Sequence, residues 1–413
     1  MTQTAPARGG LVKQRDFRLF WTGDVVSQLG SEMTLFALPL VMVSTLDASA
    51  TQIGLLEALY TLPFFLLPLF VGVWQERRAR RPVMIATDLT RCVLVVTVPV
   101  AAVLDVLSLT HVYVVAVLVG GLSVVYDIAA RSYLPRLVAP EHLGSANSKL
   151  TADQAVSATM GPGGGGWLAG AFGPASVLFL DAVSYLVSAV ALMTVRHREK
   201  TEPPPAERDL RRELTDGLRS VFGNPPVRAI AVHAAVYNAG GSLVNVAFLV
   251  YFVRDLDMGT FAYGLVTVIG GVGAICGAVG APYLFERIGY GPGLLVSLGF
   301  STNAYFLLPL YSSSDTAVFW SAAVGLFLGY AGSAAGSVIA VTVRQKVTPP
   351  EMHARMNATY RLMNFGTIPI GAALAGVLVD GAGARTTLWL APVVLLASVI
   401  PVANRTVWRL RRL

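Results

Sequence analysis

Apolar residues fall along this chain in long blocks separated by short polar stretches. A helix needs about 20 apolar residues to cross a bilayer, and within hydrocarbon it satisfies its own backbone hydrogen bonds. The blocks predict twelve spans, centred on residues 19–46, 51–74, 83–105, 110–130, 152–172, 174–195, 228–252, 260–284, 292–312, 316–340, 358–380 and 385–404. Three stretches hold no Lys, Arg, Asp or Glu: Met258 to Phe285, Ile288 to Ser314 and Thr316 to Val343.

The basic residues orient the spans, because cytoplasmic loops collect Lys and Arg. With the N-terminus inside, the cytoplasmic segments hold 28 of the 31 Lys and Arg, the external loops only Arg254 and Arg385, and Arg91 lies inside the third span. Both termini are then expected in the cytoplasm, with Trp408, Arg409, Arg411 and Arg412 as an interfacial basic tail. The first apolar segment is too long for a signal peptide and is expected to stay as an uncleaved helix. The longest polar segment, Arg196 to Arg228, carries Pro203-Pro204-Pro205 and then mixed charge from Glu207 to Arg219. It reads as a cytoplasmic linker with a short surface helix. The expected division is an N-terminal half at 1–195, a linker at 196–227 and a C-terminal half at 228–413.

Composition narrows the class further. The chain is 54% hydrophobic and 13% charged, with mean hydropathy +0.62, whereas soluble domains are about 25% charged. That excludes a cytosolic enzyme, a nucleic-acid-binding domain and a disordered regulator. The net charge of +7 sits in clusters between apolar runs, as membrane orientation requires. Cys92 and Cys276 both lie in apolar runs, so no disulfide framework is expected.

The halves repeat. A shift of 210 residues aligns Gly30 with Gly240, Leu46-Asp47 with Leu256-Asp257, Gly54 with Gly264 and Glu76-Arg77 with Glu286-Arg287. It also aligns Pro140-Glu141 with Pro350-Glu351, Asn147 with Asn357, Gly161 with Gly371 and Gly166 with Gly376. Six spans per half in the same topology make a parallel repeat about an axis along the membrane normal, the symmetry of transporters that rock one half against the other.

The loop between spans two and three reads Gly72-Val-Trp-Gln-Glu76-Arg77-Arg78-Ala-Arg80-Arg81-Pro82. It resembles the Gly-x-x-x-Asp-Arg-x-x-Arg-Arg signature of the major facilitator superfamily, with Glu76 in place of the family's Asp. In the second half the signature is reduced to Glu286-Arg287, and Pro282 replaces the Gly. The resemblance implies a cytoplasmic gate that latches the halves in the outward-facing state, with Asp127 joining the basic loop at Arg78 or Arg81. The bland alternative is a loop that only sets orientation.

The fifth span holds Gly161-Pro162-Gly163-Gly164-Gly165-Gly166, similar to the Gly-Pro-x-x-Gly-Gly antiporter signature of that superfamily, which implies a tight helix seam favouring export. Generic packing of small residues is the alternative. Its counterpart, Gly371-Ala-Ala-Leu-Ala-Gly376, keeps the small residues without the Gly-Pro. Phe17-Arg-Leu-Phe-Trp21, Asp88-Leu-Thr-Arg91, Arg131-Ser-Tyr-Leu-Pro135 and Leu180-Asp181-Ala-Val-Ser184 resemble the drug-exporter branch that includes macrolide efflux proteins and the enterobactin exporter. The implied fold is an all-α major facilitator fold of twelve transmembrane helices in two six-helix halves.

Intramembrane charges are costly, so each is a functional candidate. Asp24, Ser27, Gln28, Ser31 and Glu32 share one face of the first span, with Asp24 and Glu32 about 12 Å apart along it. Desolvation disfavours the charged form of a carboxyl, so such acids suit proton exchange against a cationic or polar substrate in the same cavity. Asp24, Glu32, Glu57 and Asp181 are the proton-coupling candidates, Asp181 being equally suited to a structural role. Asp88 and Arg91 stand three apart on one helix, as a structural ion pair does, and Arg361 is expected to anchor the start of span eleven. The second half has no acid in mid-membrane. Tyr237, Asn238, Asn245, Asn303, Tyr330 and Asn364 are candidates for the cavity lining, each also able to serve packing alone.

His111 and His233 stand apart, so no metal site, cofactor or enzymatic centre is expected, and no Walker loop exists for ATP. The expected protein is a monomeric, proton-coupled antiporter of the inner membrane exporting a small drug or natural product. Its partners are that substrate, protons and lipid, without nucleic acid. A siderophore exporter, an uptake symporter and a non-transporting sensor on the same fold are the alternatives.

Overall fold

A computed structural model describes residues 14–76, 78–197, 199, 210–349, 352–408 and 410. Every regular element among them is a helix. The first half comprises α1 (Arg15–Thr45), α2 (Ala50–Leu66), α3 (Pro68–Glu76), α4 (Arg80–Val103), α5 (Leu109–Leu137), α6 (Leu143–Phe172) and α7 (Pro174–Thr194). Between the halves lies α8 (Leu210–Gly223). The second half comprises α9 (Pro225–Leu249), α10 (Gly259–Ile288), α11 (Tyr290–Ala304), α12 (Asp315–Val347), α13 (His353–Gly366), α14 (Ile368–Ala382), α15 (Ala384–Ala397) and α16 (Arg405–Trp408), with a π-helical turn over Val250–Asp255 after α9. Among the described residues eight helices are long and apolar enough to cross a membrane, one of them running through α13 and α14, and α2 and α15 are shorter apolar helices.

Each expected span corresponds to one helix or to two in succession. Span two breaks at Leu67, because Pro68 has no N–H to continue the ladder. Span eleven breaks at Thr367, just before Pro369. The linker helix is docked: Val221 is fully buried in a small core with Val227, Ala231 and Met356.

The 210-residue offset is visible in the backbone. Asp47 and Asp257 both take the left-handed conformation, each at φ 50°, and Gly173 and Gly383 repeat at φ 80° and 87°. Gly30 packs α1 on Ser184 and Asp181 of α7, and Gly240 packs α9 on Val394 and Leu395 of α15.

The start of α1 and the segment after α16 lie at one end of the bundle, here the terminus side. Asp16 of α1 accepts from the N–H of Arg196 and of His197 just beyond α7, and Gly291 donates its N–H to the carbonyl of Leu410. At the opposite end, the far side, one apolar core joins both halves and includes Met42, Ile53, Leu178, Phe252, Leu326 and Leu388. Toward the terminus side the core separates. One cluster holds only first-half residues such as Phe17, Met84 and Tyr133, and another only second-half residues such as Ile230, Leu298 and Val343. The halves are therefore packed together at the far side and part toward the terminus side.

Candidate functional site

A cavity of about 310 Å³ lies between the halves. Its walls come from both halves at positions related by the repeat: Leu35 and Asn245, Leu38 and Phe248, Pro39 and Leu249, Ile53 and Tyr263, Glu57 and Thr267. The cavity thus sits on the pseudo-symmetry axis between the halves, the place where proteins built from such repeats hold their transport sites.

Two carboxyls enter it, Glu32 from α1 and Glu57 from α2. Glu57 Oε1 accepts a hydrogen bond from Ser242 Oγ on α9 at 3.1 Å, a link between the halves. Ser242 stands 210 residues after Glu32, so a position that is acidic in one half is a hydroxyl in the other. Glu32 is held from behind by Gly161 of α6, where any Cβ would collide with Glu32 Cβ and the adjoining backbone. Among the described residues Glu32 has no hydrogen bond or ion pair. Phe36, Tyr60, Phe248, Tyr263 and Tyr330 supply aromatic surface, with Phe36 and Tyr263 stacked at 5.1 Å.

The glycines close the far side of this cavity. Gly166 meets Gly264 of α10 backbone to backbone, Gly163 meets Val268, and Gly165 receives Phe36 and Met33 of α1. The carbonyl of Pro162 lies against Gly264, and Pro162 also lines the cavity. The related seam joins α2 to α14, with Gly54 against Ala372 and Gly376 against Ala50 and Thr51. Gly371 packs α14 on Ala239 of α9. Beyond this seam the Asp380 carboxylate accepts from the N–H groups of Ala50 and Thr51 at 2.9 and 2.8 Å. It caps the first turn of α2 from the opposite half, where negative charge also favours the helix dipole. Asp380→Ala is expected to weaken the closed far side by about 1 kcal/mol. A cysteine at Asn245 in the cavity wall should then react roughly fivefold faster with a membrane-impermeant thiol reagent applied from the far side, a change that about 1 kcal/mol permits.

The four candidate acids do not share one environment. Asp24 was expected in one cavity with Glu32, but the structure separates them. Asp24 lines a smaller terminus-side cavity of about 70 Å³ with Gln28, Asp127, Arg131 and Asn147, and accepts from Tyr126 OH at 3.3 Å. Two turns of α1 intervene, and there Ser31 turns to Tyr185 OH of α7, 2.9 Å away, which seals that face. Asp181 is fully buried and accepts from Thr34 Oγ1 at 2.5 Å and Ser184 Oγ at 2.9 Å. It lines neither cavity and fastens α7 to α1. Asp88 and Arg91 form a buried ion pair, with the guanidinium over the Tyr126 and Tyr185 rings at 4.6 and 4.3 Å.

The basic loop has other partners in this conformation. Arg77 and the side chain of Glu76 lie outside the described residues, as do Pro350, Glu351, Arg409, Arg411 and Arg412. Gly72 ends in open space. Arg78 lies over the Trp74 ring at 4.8 Å, and Arg80 donates to the Arg78 carbonyl at 3.1 Å. Asp127 was expected to join the loop at Arg78 or Arg81 in the outward-facing state; in this conformation Arg81 donates to the carbonyls of Leu192 and Met193 at 2.8 and 2.7 Å. Those carbonyls end α7, where the dipole favours a cation; the Leu192 carbonyl also accepts from the Val195 N–H at 3.3 Å. The cations acting on Asp127 are Arg131, Arg91 and, from the second half, Arg361.

Of the polar lining candidates, Asn245 and Tyr330 face the central cavity. Tyr237, Asn238 and Asn364 line a separate cavity of about 150 Å³ within the second half, together with His233. There Tyr237 OH bonds Ser301 Oγ at 2.8 Å and Asn238 bonds Asn364. Asn303 lines none of these cavities. α11 buries Ser297 and Ser301, whereas Asn303 is exposed and donates to its own helix at the Gly299 carbonyl, 2.7 Å away. Sequence reasoning missed Tyr60, Tyr263, Thr267 and Ser242. The repeat offset carries a signal for two of them, since it maps Glu57 onto Thr267 and Glu32 onto Ser242. No group of three or more His, Cys, Asp and Glu converges among the described residues.

A family model described as Major Facilitator Superfamily matches residues 20–364 and 242–412. The chain is 27% identical over 376 residues to the multidrug efflux pump Tap of Mycolicibacterium fortuitum, covering 87% of this chain and 88% of that one. It is 25% identical over 372 residues to the enterobactin exporter EntS of Escherichia coli O1:K1 / APEC, covering 90% and 86%. A crystal structure of a point mutant of the nucleoside transporter NupG superposes with a TM-score of 0.78 at 12% identity, covering 94% of this chain and 98% of the other.

Proposed function

The chain belongs to the Major Facilitator Superfamily and is a multi-pass membrane transporter, and from that premise we propose that it exports a small amphipathic drug or natural product in exchange for protons. The observation that carries the reading is the axial cavity. It joins two carboxyls to aromatic walls between halves that are closed at the far side and part toward the terminus side. Placing the terminus side in the cytoplasm of a bacterial inner membrane follows the distribution of Lys and Arg. The cavity then opens to the cytoplasm in this conformation, and substrate enters from there.

In this reading Glu32 and Glu57 exchange protons for substrate in the cavity, and Asp24 with Asp127 relays them toward the cytoplasm. A proton and a substrate compete because each neutralises the same carboxylate in a site of low dielectric. Rocking to the far-open state breaks the Gly166–Gly264 seam and brings the cytoplasmic ends together. The loop from Gly72 through Glu76, Arg77, Arg78, Arg80 and Arg81 then latches with Asp127. Arg81 occupies α7 carbonyls here because that latch is released when the cytoplasmic side is open. Asp181 is left out of the proton path by its two hydroxyl donors. Siderophore export is the second reading, favoured by the relative named as an enterobactin exporter.

Inside-out vesicles with an imposed proton gradient test the proposal. Added antibiotics, dyes or siderophores should cause substrate-dependent proton release. Glu32→Gln combined with Asp24→Asn should reduce it to the level of empty vesicles. Full release by that double variant overturns the coupling assignment, and a folded protein that moves no compound overturns export.

A further inference from the structure

We propose that the axial cavity takes an organic cation, a protonated or quaternary amine carried on an aromatic ring system, with Glu32 as its counter-ion; this rests on reading the cavity as the transport site. Among the described residues the lining holds two acids and no Lys, Arg or His. The two acids differ. Glu57 already accepts from Ser242 across the halves, whereas Glu32 has no hydrogen bond or ion pair among the described residues. Gly161 presses it from behind, so its carboxyl extends toward the cavity that it lines. An unpaired carboxylate in an apolar wall is costly, and a bound cation removes that cost.

The walls select among cations. Tyr60, Tyr263 and Tyr330, with Phe36 and Phe248, present ring surfaces around the acids, and aromatic faces attract cations once water is displaced. The volume of about 310 Å³ is at the lower end of sites for drug-sized molecules, roughly 300–1,000 Å³. The other oxygens of the lining are neutral ones, from Thr34, Thr61, Thr267, Asn245 and the tyrosines. They are spread among large apolar and aromatic side chains that suit an organic cation better than a hard metal ion, which takes about six close oxygen ligands. An anion, such as a catecholate chelator, meets two acids and no base. The charge is also one-sided. The repeat places Ser242 and Thr267 where the first half has Glu32 and Glu57, so the second half contributes hydroxyls and rings, and the cationic end of the substrate lies toward α1.

The test uses the full chain in lipid nanodiscs with ethidium as permanent cation, Nile red as neutral dye and fluorescein as anion. Ethidium should bind. Glu32→Gln should weaken it more than tenfold and leave Nile red within twofold. Glu32→Asp should restore ethidium to within fivefold of wild type, which separates loss of charge from loss of fold. Equal or tighter binding of fluorescein overturns the proposal, as does unchanged ethidium affinity in Glu32→Gln or displacement of ethidium by Mn2+ alone. Proteoliposomes distinguish the two levels of inference. Transport of a neutral or anionic compound without any cation overturns the cation assignment and leaves the export reading standing, whereas transport of nothing overturns both.

Discussion

Gly166→Val is expected to abolish export and hold the protein open at the far side. A Cβ at Gly166 would lie 2.7 Å from Gly264 Cα and 2.9 Å from the Thr260 carbonyl. Carbon atoms rest at about 3.5–4.0 Å, and these neighbours are backbone, so no side chain can swing away. Overpacking of this kind costs about 1–3 kcal/mol or more. It is imposed only on the state in which α6 and α10 touch. Transporter states commonly differ by a few kcal/mol, and each 1.4 kcal/mol is tenfold, so the far-closed population should fall by roughly 100-fold. The measurement uses a chain with Cys92 and Cys276 replaced by serine and a single reporter, Asn245→Cys, in the cavity wall. A membrane-impermeant thiol reagent added outside intact cells should label it in Gly166→Val and not in the parent. Gly280→Val is the control, because nothing lies within 4 Å of a Cβ there. Normal export by Gly166→Val, or an unlabelled reporter, would remove the seam from the mechanism.

Arg91→Ala is expected to be the most destabilising single change in the first half. The guanidinium and the Asp88 carboxylate are both buried, with two tyrosine rings against the cation. Removing one member leaves the other charge uncompensated, at about 3–5 kcal/mol. The midpoint of thermal unfolding in detergent should fall by about 5–10 °C on that scale. Replacing both residues by leucine should recover at least half of the loss, since an apolar pair of similar size is often neutral. If Arg91→Ala unfolds at the parental temperature, or the double variant is no better than the single, the pair does not hold the half together. Glu32, proposed above to act in transport, should behave oppositely: Glu32→Gln removes an unpaired charge and should cost no stability, measured by the same unfolding scan.

Much of the fold was legible because membranes impose a simple rule. A span must be long and apolar, and basic residues mark where it ends, so local blocks suffice to place α1, α4, α5, α7, α10 and α12. The repeat was legible for the same reason that it folds: each half solves the same packing problem, so Gly30 and Gly240 recur where α1 and α9 approach α7 and α15. The glycine run in α6 could be read as a helix seam before its partner was known. Its partner, Gly264 of α10, could not, because one glycine among many in an apolar span carries no local mark. The break at Leu67 was missed although Pro68 announces it, since hydropathy alone runs smoothly through it.

The site was read less well, and the reason is geometric. The positions of Asp24 and Glu32 follow from helical periodicity, and they do share a stripe of α1. What periodicity along one helix leaves open is what covers that stripe. Tyr185 of α7 closes it at Ser31 and leaves one acid in each of two cavities. Arg81 was matched to Asp127 by charge, yet the ends of α7 compete for the same guanidinium and are nearer in this conformation. Asn303 looked like its polar neighbours, but which face of α11 is buried depends on α12. By itself the sequence determined that the chain lies in a membrane, how often it crosses, that its halves repeat and which acids are too costly to be incidental, because these depend on composition and local period. Only the tertiary structure decided that Glu32 and Glu57 meet on the symmetry axis while Asp24 and Asp181 do not, because that depends on which helices, hundreds of residues apart, are packed side by side.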